Sequence, residues 1–436
     1  MRRDLAGALA NAFLAGEWTT RGLVDSGASV VGRRRRWMPT LARQVLELYP
    51  RAPLDRPREL AEVISTRPAA EKAGRTGPVA HPLTGTRMVR NPWRLVELHD
   101  LGDVRSLLGV SEPELEWFSD PRRWARTTGQ TRLQHYRVTT RTAPSGAIRV
   151  LEAPKHRLKT IQRQLLDEIV GRIPPHRAAH GFRVGRSVRT YADPHAARPV
   201  VIRLDLEGFF ASVTVGRVFG VLRAAGYPEP VAHSLAGLMT TVLPLHAWRA
   251  VPRPSDTGLL DAHWRLGRRL AAPHLPQGSP TSPALANLAA YRLDVRLDAL
   301  ATSWGARYTR YADDLAFSGG SGARRRSPRI LDIAEEIVRA EGFRLNTRKT
   351  AVMPTSQRQV LGGLVVNDAP RVSRSEVDVL RAILHNCLRD GPSAQNREDR
   401  VGFDLYLAGR IAWVAQHDPR RGARLRAQFD AIDWTR

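Results

Sequence analysis

The sequence predicts an α/β (α+β) chain in which a small antiparallel sheet carries acidic residues and helices cover it. Three observations predict this. Tyr308 to Ser318 reads YTRYADDLAFS. Tyr308, Tyr311, Leu315 and Phe317 are strand formers flanking an Ala312-Asp313-Asp314 centre suited to a tight turn, so the stretch predicts a hairpin tipped by two carboxylates. Pro199 to Phe210 reads PVVIRLDLEGFF, an apolar run broken by Arg203 and Asp205. It predicts a buried strand. Around these two stretches apolar residues recur at helical spacing, as in Leu158, Ile161, Leu165 and Ile169, or Ile330, Ala334, Ile337 and Val338.

The acids decide what such a sheet could do. Adjacent anions on a partly buried turn repel each other, and desolvating them is costly unless a cation neutralises them. Hard carboxylate oxygens suit Mg²⁺. A solvated Asp-Asp turn is the bland alternative. Asp205 weighs against it, because an acid inside an apolar run is rarely there for structure. With that strand beside the hairpin, Asp205 and Asp313 converge on a shared pair of metal ions, with Asp314 at the margin. Two ions about 3.5–4 Å apart serve an in-line phosphoryl transfer, the chemistry of nucleotide polymerisation.

Composition narrows the partners. Of 436 residues 42% are hydrophobic, enough for a real core, and the net charge of +26 points to a polyanion, nucleic acid by default. Membrane binding is disfavoured because no apolar run approaches the ~18 residues a spanning helix needs. MRRDLAGALANAFLAGEW mimics a leader weakly, but Asp4, Asn11 and Glu17 interrupt it, and an amphipathic helix fits better. The single cysteine, Cys387, excludes an internal disulfide framework and a cysteine-based zinc site, so a cytoplasmic protein is expected.

Taken in order, residues 1–115 form an extension without assignable chemistry. Arg33 to Arg36 is consistent with phosphate contact or with a solvated face. Ser65 to Pro92, rich in Gly, Pro, Thr and Arg, reads as a loop or linker, and Pro92 to Phe118 as helical with Ser111 as an N-cap. His135 to Pro154 alternates polar and apolar residues around Pro144-Ser145-Gly146 and predicts a hairpin. Lys155 to Ile173 predicts an amphipathic helix whose basic residues include Lys155 and Lys159. HGFRVGRS, His180 to Ser187, is a Gly-punctuated loop carrying Arg183 and Arg186. Thr214 opens a helix closed by Gly226. Pro228 to Pro273 is a helical insert. In LPQGSPTSPALAN, Gly278 and Ser279 permit close backbone approach, and Pro280 and Pro283 stiffen the entry to a long helix running towards Leu300. Gly319 to Gly322 with Arg324 to Arg326 reads as a flexible basic loop. Ser373 to Leu388 and Arg400 to Gln416 read as helices.

The order DLEGFF, LPQGSPTSPALAN, RYADDLAFSG, GFRLNTRKT, LGGLVVN resembles that of a bacterial reverse transcriptase, and most closely the retron type. The resemblance spans about His135 to Asn367. It implies a right-hand polymerase: fingers over 116–200, an antiparallel palm over 201–367 with the insert at 228–273, and a helical thumb over 368–436. By the same resemblance Asp205, Asp313 and Asp314 hold two Mg²⁺ ions, with Mn²⁺ as substitute. Lys349 becomes the acid for the departing pyrophosphate, a task open to lysine and closed to arginine near neutral pH. Arg149, then Arg141, would hold the incoming triphosphate. Phe210 would exclude the 2′-hydroxyl, Gln277 and Gly278 would line the nucleotide pocket, and Lys155, Lys159, Arg183 and Arg186 would contact nucleic acid. The implied partners are deoxynucleotides, an RNA–DNA duplex and a structured non-coding RNA serving as template and primer, in antiphage defence, with an effector protein left open. Two departures concern the subtype. Tyr191 stands where retron enzymes carry Asn in Asn-Ala-x-x-His, and Leu361-Gly362-Gly363 stands for Val-Thr-Gly. The alternatives are another defence-associated or group II intron enzyme and, from a different class, a catalytically inert RNA-binding protein.

Overall fold

The computed structural model describes residues 1–73, 76–80, 82, 85–124 and 128–435. Two compact units emerge, one comprising Met1–Pro174 with Phe210–Ala289, the other Pro175–Phe209 with Ala290–Arg436.

The first unit begins with four helices, Arg3–Ala15, Thr20–Val31, Met38–Leu48 and Pro57–Thr66. Their apolar stripes meet in a core built from Leu5, Leu9, Phe13, Leu23, Leu41, Leu60 and Ile64. Thr19 caps the second helix by accepting from the Gly22 amide. The segment read as a linker from Ser65 holds a short helix, Pro68–Glu71, because Ala69 and Ala70 bury against that core; part of the segment lies outside the described residues. Ser111 caps helix Glu112–Ser119 in a reciprocal capping box with Glu114, as its position predicts. Strands β1 (Tyr136–Thr142) and β2 (Ile148–Pro154) form the expected hairpin. Helix His156–Glu168 follows. The insert supplies helices Glu229–Met239, Leu245–Arg249 and Leu260–Leu270, and it buttresses the hairpin through Val150, Leu243, Val251 and Leu270.

The second unit is built on a four-stranded antiparallel sheet ordered β4-β5-β3-β6, with β3 at Val200–Asp205, β4 at Arg307–Tyr311, β5 at Asp314–Gly319 and β6 at Ala351–Pro354. Strand alternation sends Ile202, Leu204, Leu315 and Phe317 to one face. Helix Tyr291–Ser303 packs against β4 and against helix Ser327–Ala340. The opposite face presents Val201, Arg203 and Asp205. At Val201, Ala316 and Met353 it runs into a core shared with Leu361, Leu364, Leu380, Leu407 and Val414 of the C-terminal segments.

Two expectations are corrected and a third is extended. The basic loop after the hairpin contains a helix, Ser321–Arg325, because Ala323 is buried close against Gly319. The long helix after Pro280 is two helices, Ser282–Ala289 and Tyr291–Ser303, parted at Ala290, whose ψ of 5° leaves the helical region. Beyond Ser373 the chain forms Arg374–Asp390 and Phe403–His417 as expected, and adds Pro392–Gln395 and Pro419–Asp430.

Candidate active site

The site grows from one register. Asp205, the last residue of β3, lies directly opposite Asp314, the first of β5. The Leu206 amide donates to the Asp313 carbonyl at 2.9 Å, so Asp205 and Asp314 are a non-hydrogen-bonded pair, the kind in which facing side chains approach most closely. Both project from the same face. Tyr311 pairs with Asp314 across β4 and β5, leaving Ala312 and Asp313 as a two-residue turn. Ala312 has a φ of 55°, at the position where a type II′ hairpin ordinarily takes glycine. The turn is therefore strained at the residue before the first aspartate.

Electrostatics mark the cluster as under-neutralised. Burial, then the Asp313 and Asp205 charges, push the Asp314 carboxyl up to about 6. Asp205 is buried, and its two oxygens accept from Lys349 Nζ at 2.8 Å and Asn346 Nδ2 at 3.0 Å. The Asn346 amide also donates to the Asp205 carbonyl at 2.8 Å, so Asn346 holds the residue from both ends. Nothing local in GFRLNTRKT marks Asn346 for this role.

The three acids thus share one end of the sheet, with a correction. Among the described residues no group of three or more His, Cys, Asp or Glu side chains is arranged to hold a metal ion as it stands. Lys349 occupies the Asp205 carboxylate instead. The donor set still fits a hard divalent cation. It offers carboxylate oxygens whose burial and mutual repulsion raise Asp314, and the Lys349 side chain that meets Asp205 is 43% exposed.

The other predicted residues fall in both units. In the second, Arg183 donates to the carbonyls of His176 and Ala179, which ties it to its own loop, while Arg186 is exposed. The same loop rests on the acidic turn: a Cβ on Gly181 would stand 2.7 Å from the Ala312 amide nitrogen. His195 of the YADPH segment is fully buried. Thr309 Oγ1 donates to the Tyr191 carbonyl, so His195 Nε2–H donates to Thr309 at 2.7 Å and the Ser318 hydroxyl donates to Nδ1 at 2.7 Å. That histidine braces β4 to β5. Tyr191 of the same segment is buried in the core.

In the first unit, Arg141 and Arg149 are exposed and directly opposite each other on β1 and β2, an arrangement that favours an anion between them. Phe210 is half-buried; its neighbour Phe209, in the second unit, is the core residue. Gly278 has a φ of 131°, and a Cβ there would lie 3.1 Å from the Glu152 carbonyl oxygen, so only glycine fits. The Glu152 amide donates to the Gln277 carbonyl at 2.8 Å. Lys155 spends two donors on the carbonyls of Thr131 and Arg132, which favours a structural role, whereas Lys159 is exposed.

Comparison with known proteins identifies the family. Residues 140–365 match the family described as reverse transcriptase (RNA-dependent DNA polymerase). The chain is 39% identical over 333 residues to the retron Mx65 reverse transcriptase of Myxococcus xanthus, covering 76% of this chain and 70% of that protein. It is 38% identical over 357 residues to the retron Mx162 reverse transcriptase of the same organism, covering 78% and 68%. It is 30% identical over 254 residues to the retron Ec86 reverse transcriptase of Escherichia coli, covering 58% and 69%. With two distant aspartates paired across a palm-like sheet and a third in the adjoining turn, the chain belongs to the reverse transcriptases, RNA-directed DNA polymerases, and among them to the retron type.

Proposed function

We propose that this enzyme makes RNA-linked DNA from a cognate structured RNA that is both template and primer, and that the product serves antiphage defence. The observation that carries the catalytic part is the facing pair Asp205 and Asp314 beside Asp313. Reverse transcriptases use divalent metal ions, and these three residues would hold them, two Mg²⁺ with Mn²⁺ able to substitute. Bound there, the ions supply Lewis-acid stabilisation to the attacking and leaving oxygens. The chain's own groups do the rest. Asn346 fixes the Asp205 carboxylate. Lys349 releases it and protonates the departing pyrophosphate. Arg149 and Arg141 clamp the triphosphate, Gln277 and Gly278 seat the nucleotide, and Phe210 rejects a 2′-hydroxyl. Lys159 and Arg186 contact backbone phosphates, with Lys155 and Arg183 supporting their loops.

Residues 368–436 are read as a helical thumb, gripping the duplex together with the recognised RNA. Sequencing the nucleic acid that copurifies with the protein tests the retron product. A branched RNA–DNA hybrid is expected, and only linear DNA would contradict it. Arg149→Ala should raise the KM for deoxynucleotides by about tenfold, with RNA affinity unchanged, from loss of one charge-assisted contact. An unaltered KM in single-nucleotide kinetics would remove Arg149 from the site. Phe210→Ala should admit ribonucleotides, read as a fall in the ratio of deoxynucleotide to ribonucleotide kcat/KM of about tenfold or more. A constant ratio would leave Phe210 a packing residue.

A further inference from the structure

Arg310, the strand residue within RYADD, is the largest side chain buried to under 2% exposure among the described residues. A guanidinium carries an obligatory charge, so such burial requires complete pairing. Asp294, on helix Tyr291–Ser303 and itself fully buried, provides it with both oxygens: Oδ1 accepts from Arg310 Nε at 2.8 Å and Oδ2 from Nη2 at 2.6 Å. The Tyr308 hydroxyl donates to the same Oδ1 at 2.8 Å. The Arg310 backbone is also spent, donating to the Ala178 carbonyl and accepting from the His180 amide, each at 2.7 Å. Side chain and backbone of Arg310 are thus both held.

Its remaining terminus reaches forward. Arg310 Nη1 donates to the Ala312 carbonyl oxygen at 3.1 Å. That oxygen belongs to the peptide joining Ala312 to Asp313, so the contact sets the plane from which Asp313 departs. It does so where the backbone resists, since Ala312 holds a positive φ without being glycine. The Gly181 backbone lies close against the same residue, since a Cβ there would stand 2.7 Å from the Ala312 amide nitrogen.

We propose that Arg310, locked by Asp294, is a positioning residue for catalysis: it clamps the strained Ala312–Asp313 peptide and so fixes where the catalytic carboxylates stand. Asp294 orients the guanidinium, and the guanidinium orients the turn. Neither touches the reacting atoms. The inference rests on the reading of Asp313 and Asp314 as the catalytic acids.

Arg310→Lys separates the two duties, because one ammonium can meet Asp294 and cannot also reach the Ala312 carbonyl with fork geometry. In single-turnover extension on an RNA template, Arg310→Lys should lower the chemical rate by about 10²-fold, as a displacement near 1 Å does, with the deoxynucleotide and RNA dissociation constants within about threefold of wild type. Mn²⁺ binding, followed by paramagnetic resonance without nucleotide, should weaken by about tenfold or more, since an outer contact that aims a ligand carries that much. Adding Ala312→Gly should recover part of the rate, because glycine adopts the turn unaided. Arg310→Met and thermal melting accompany these variants. A folded Arg310→Lys protein with wild-type rate and Mn²⁺ affinity would overturn the proposal. So would a rate loss that merely tracks the unfolded fraction and is untouched by Ala312→Gly. Should wild type fail to synthesise DNA, the functional reading falls, while the Mn²⁺ titration still reads the clamp.

Discussion

Asp313→Asn and Asp314→Asn should each abolish deoxynucleotide incorporation, by at least ~10³-fold in kcat, while leaving RNA binding within about twofold. An amide keeps the shape of the carboxyl and removes the charge. The turn is retained, but its capacity to neutralise a cation is lost. The stability change should run opposite to the activity change. Asp314 has its carboxyl raised to about 6 by burial and by its two acidic neighbours, so its ionised form is disfavoured in the folded state near neutral pH. The sign follows: a carboxyl whose folded pKa exceeds its unfolded one destabilises the fold above that value, and protonation below about pH 6 relieves it. Asp314→Asn should therefore melt at a higher temperature than wild type at pH 7.5 and should lose the acid-side stabilisation. Primer extension, RNA titration and melting curves check all three parts. Unchanged synthesis by either variant would remove that acid from the chemistry, and a lower melting temperature for Asp314→Asn would contradict the crowding of the carboxylates.

The second large effect lies in the first unit, where Glu152 and His274 are both buried. His274 Nε2 donates to Glu152 Oε2 at 2.8 Å and Nδ1 donates to the Ala272 carbonyl at 2.7 Å, so both ring nitrogens carry protons. Burial pulls the imidazole downward, but the Glu152 charge and the hydrogen bonds to Glu152 and Ala272 outweigh it and leave His274 raised above 6.5. Glu152→Ala strands a buried imidazole and should cost about 3–5 kcal/mol, a large share of a typical folding free energy of about 5–15 kcal/mol. Because the folded pKa is raised, this stabilisation is fully present below His274's ordinary value and is lost as pH rises through the folded one. Urea unfolding of wild type should show a stability that declines above neutral pH. His274→Asn should be less stable near pH 6 and lack that decline. The pair also bears on the nucleotide pocket proposed above, since the Glu152 backbone holds Gln277 and leaves room only for a glycine at 278. A Glu152→Ala protein as stable as wild type at pH 6 would contradict this account.

Much of this was legible in the sequence because it is written in local patterns. An acid in an apolar run and two acids in a turn between strand formers each declare themselves over a few residues. The register is not legible there: the strand pattern groups Asp205 with Asp313 and leaves Asp314 at the margin, whereas pairing of β3 with β5 sets Asp314 directly opposite Asp205 and Asp313 in the turn. What stayed hidden depends on partners distant in sequence. Asp294 looked like any polar residue on a helix, and Arg310 like strand filler, until the fold joined them at 2.6 Å. Asn346 was invisible for the same reason, its partner lying at Asp205. The helix Ser321–Arg325 escaped notice because glycines and arginines declare a loop, and only burial of Ala323 overrides that preference. Likewise Lys155 read as an exposed cation, while the fold gives its ammonium two carbonyl partners.

Asp205→Asn tests the central claim most directly, because Asp205 lies more than a hundred residues before the Asp313-Asp314 turn and only the folded sheet joins them. Single-turnover incorporation on an RNA template at saturating Mg²⁺ is the measurement. The pairing predicts a rate loss as deep as that of Asp313→Asn, with RNA affinity intact. Wild-type rates from a folded Asp205→Asn protein would contradict it.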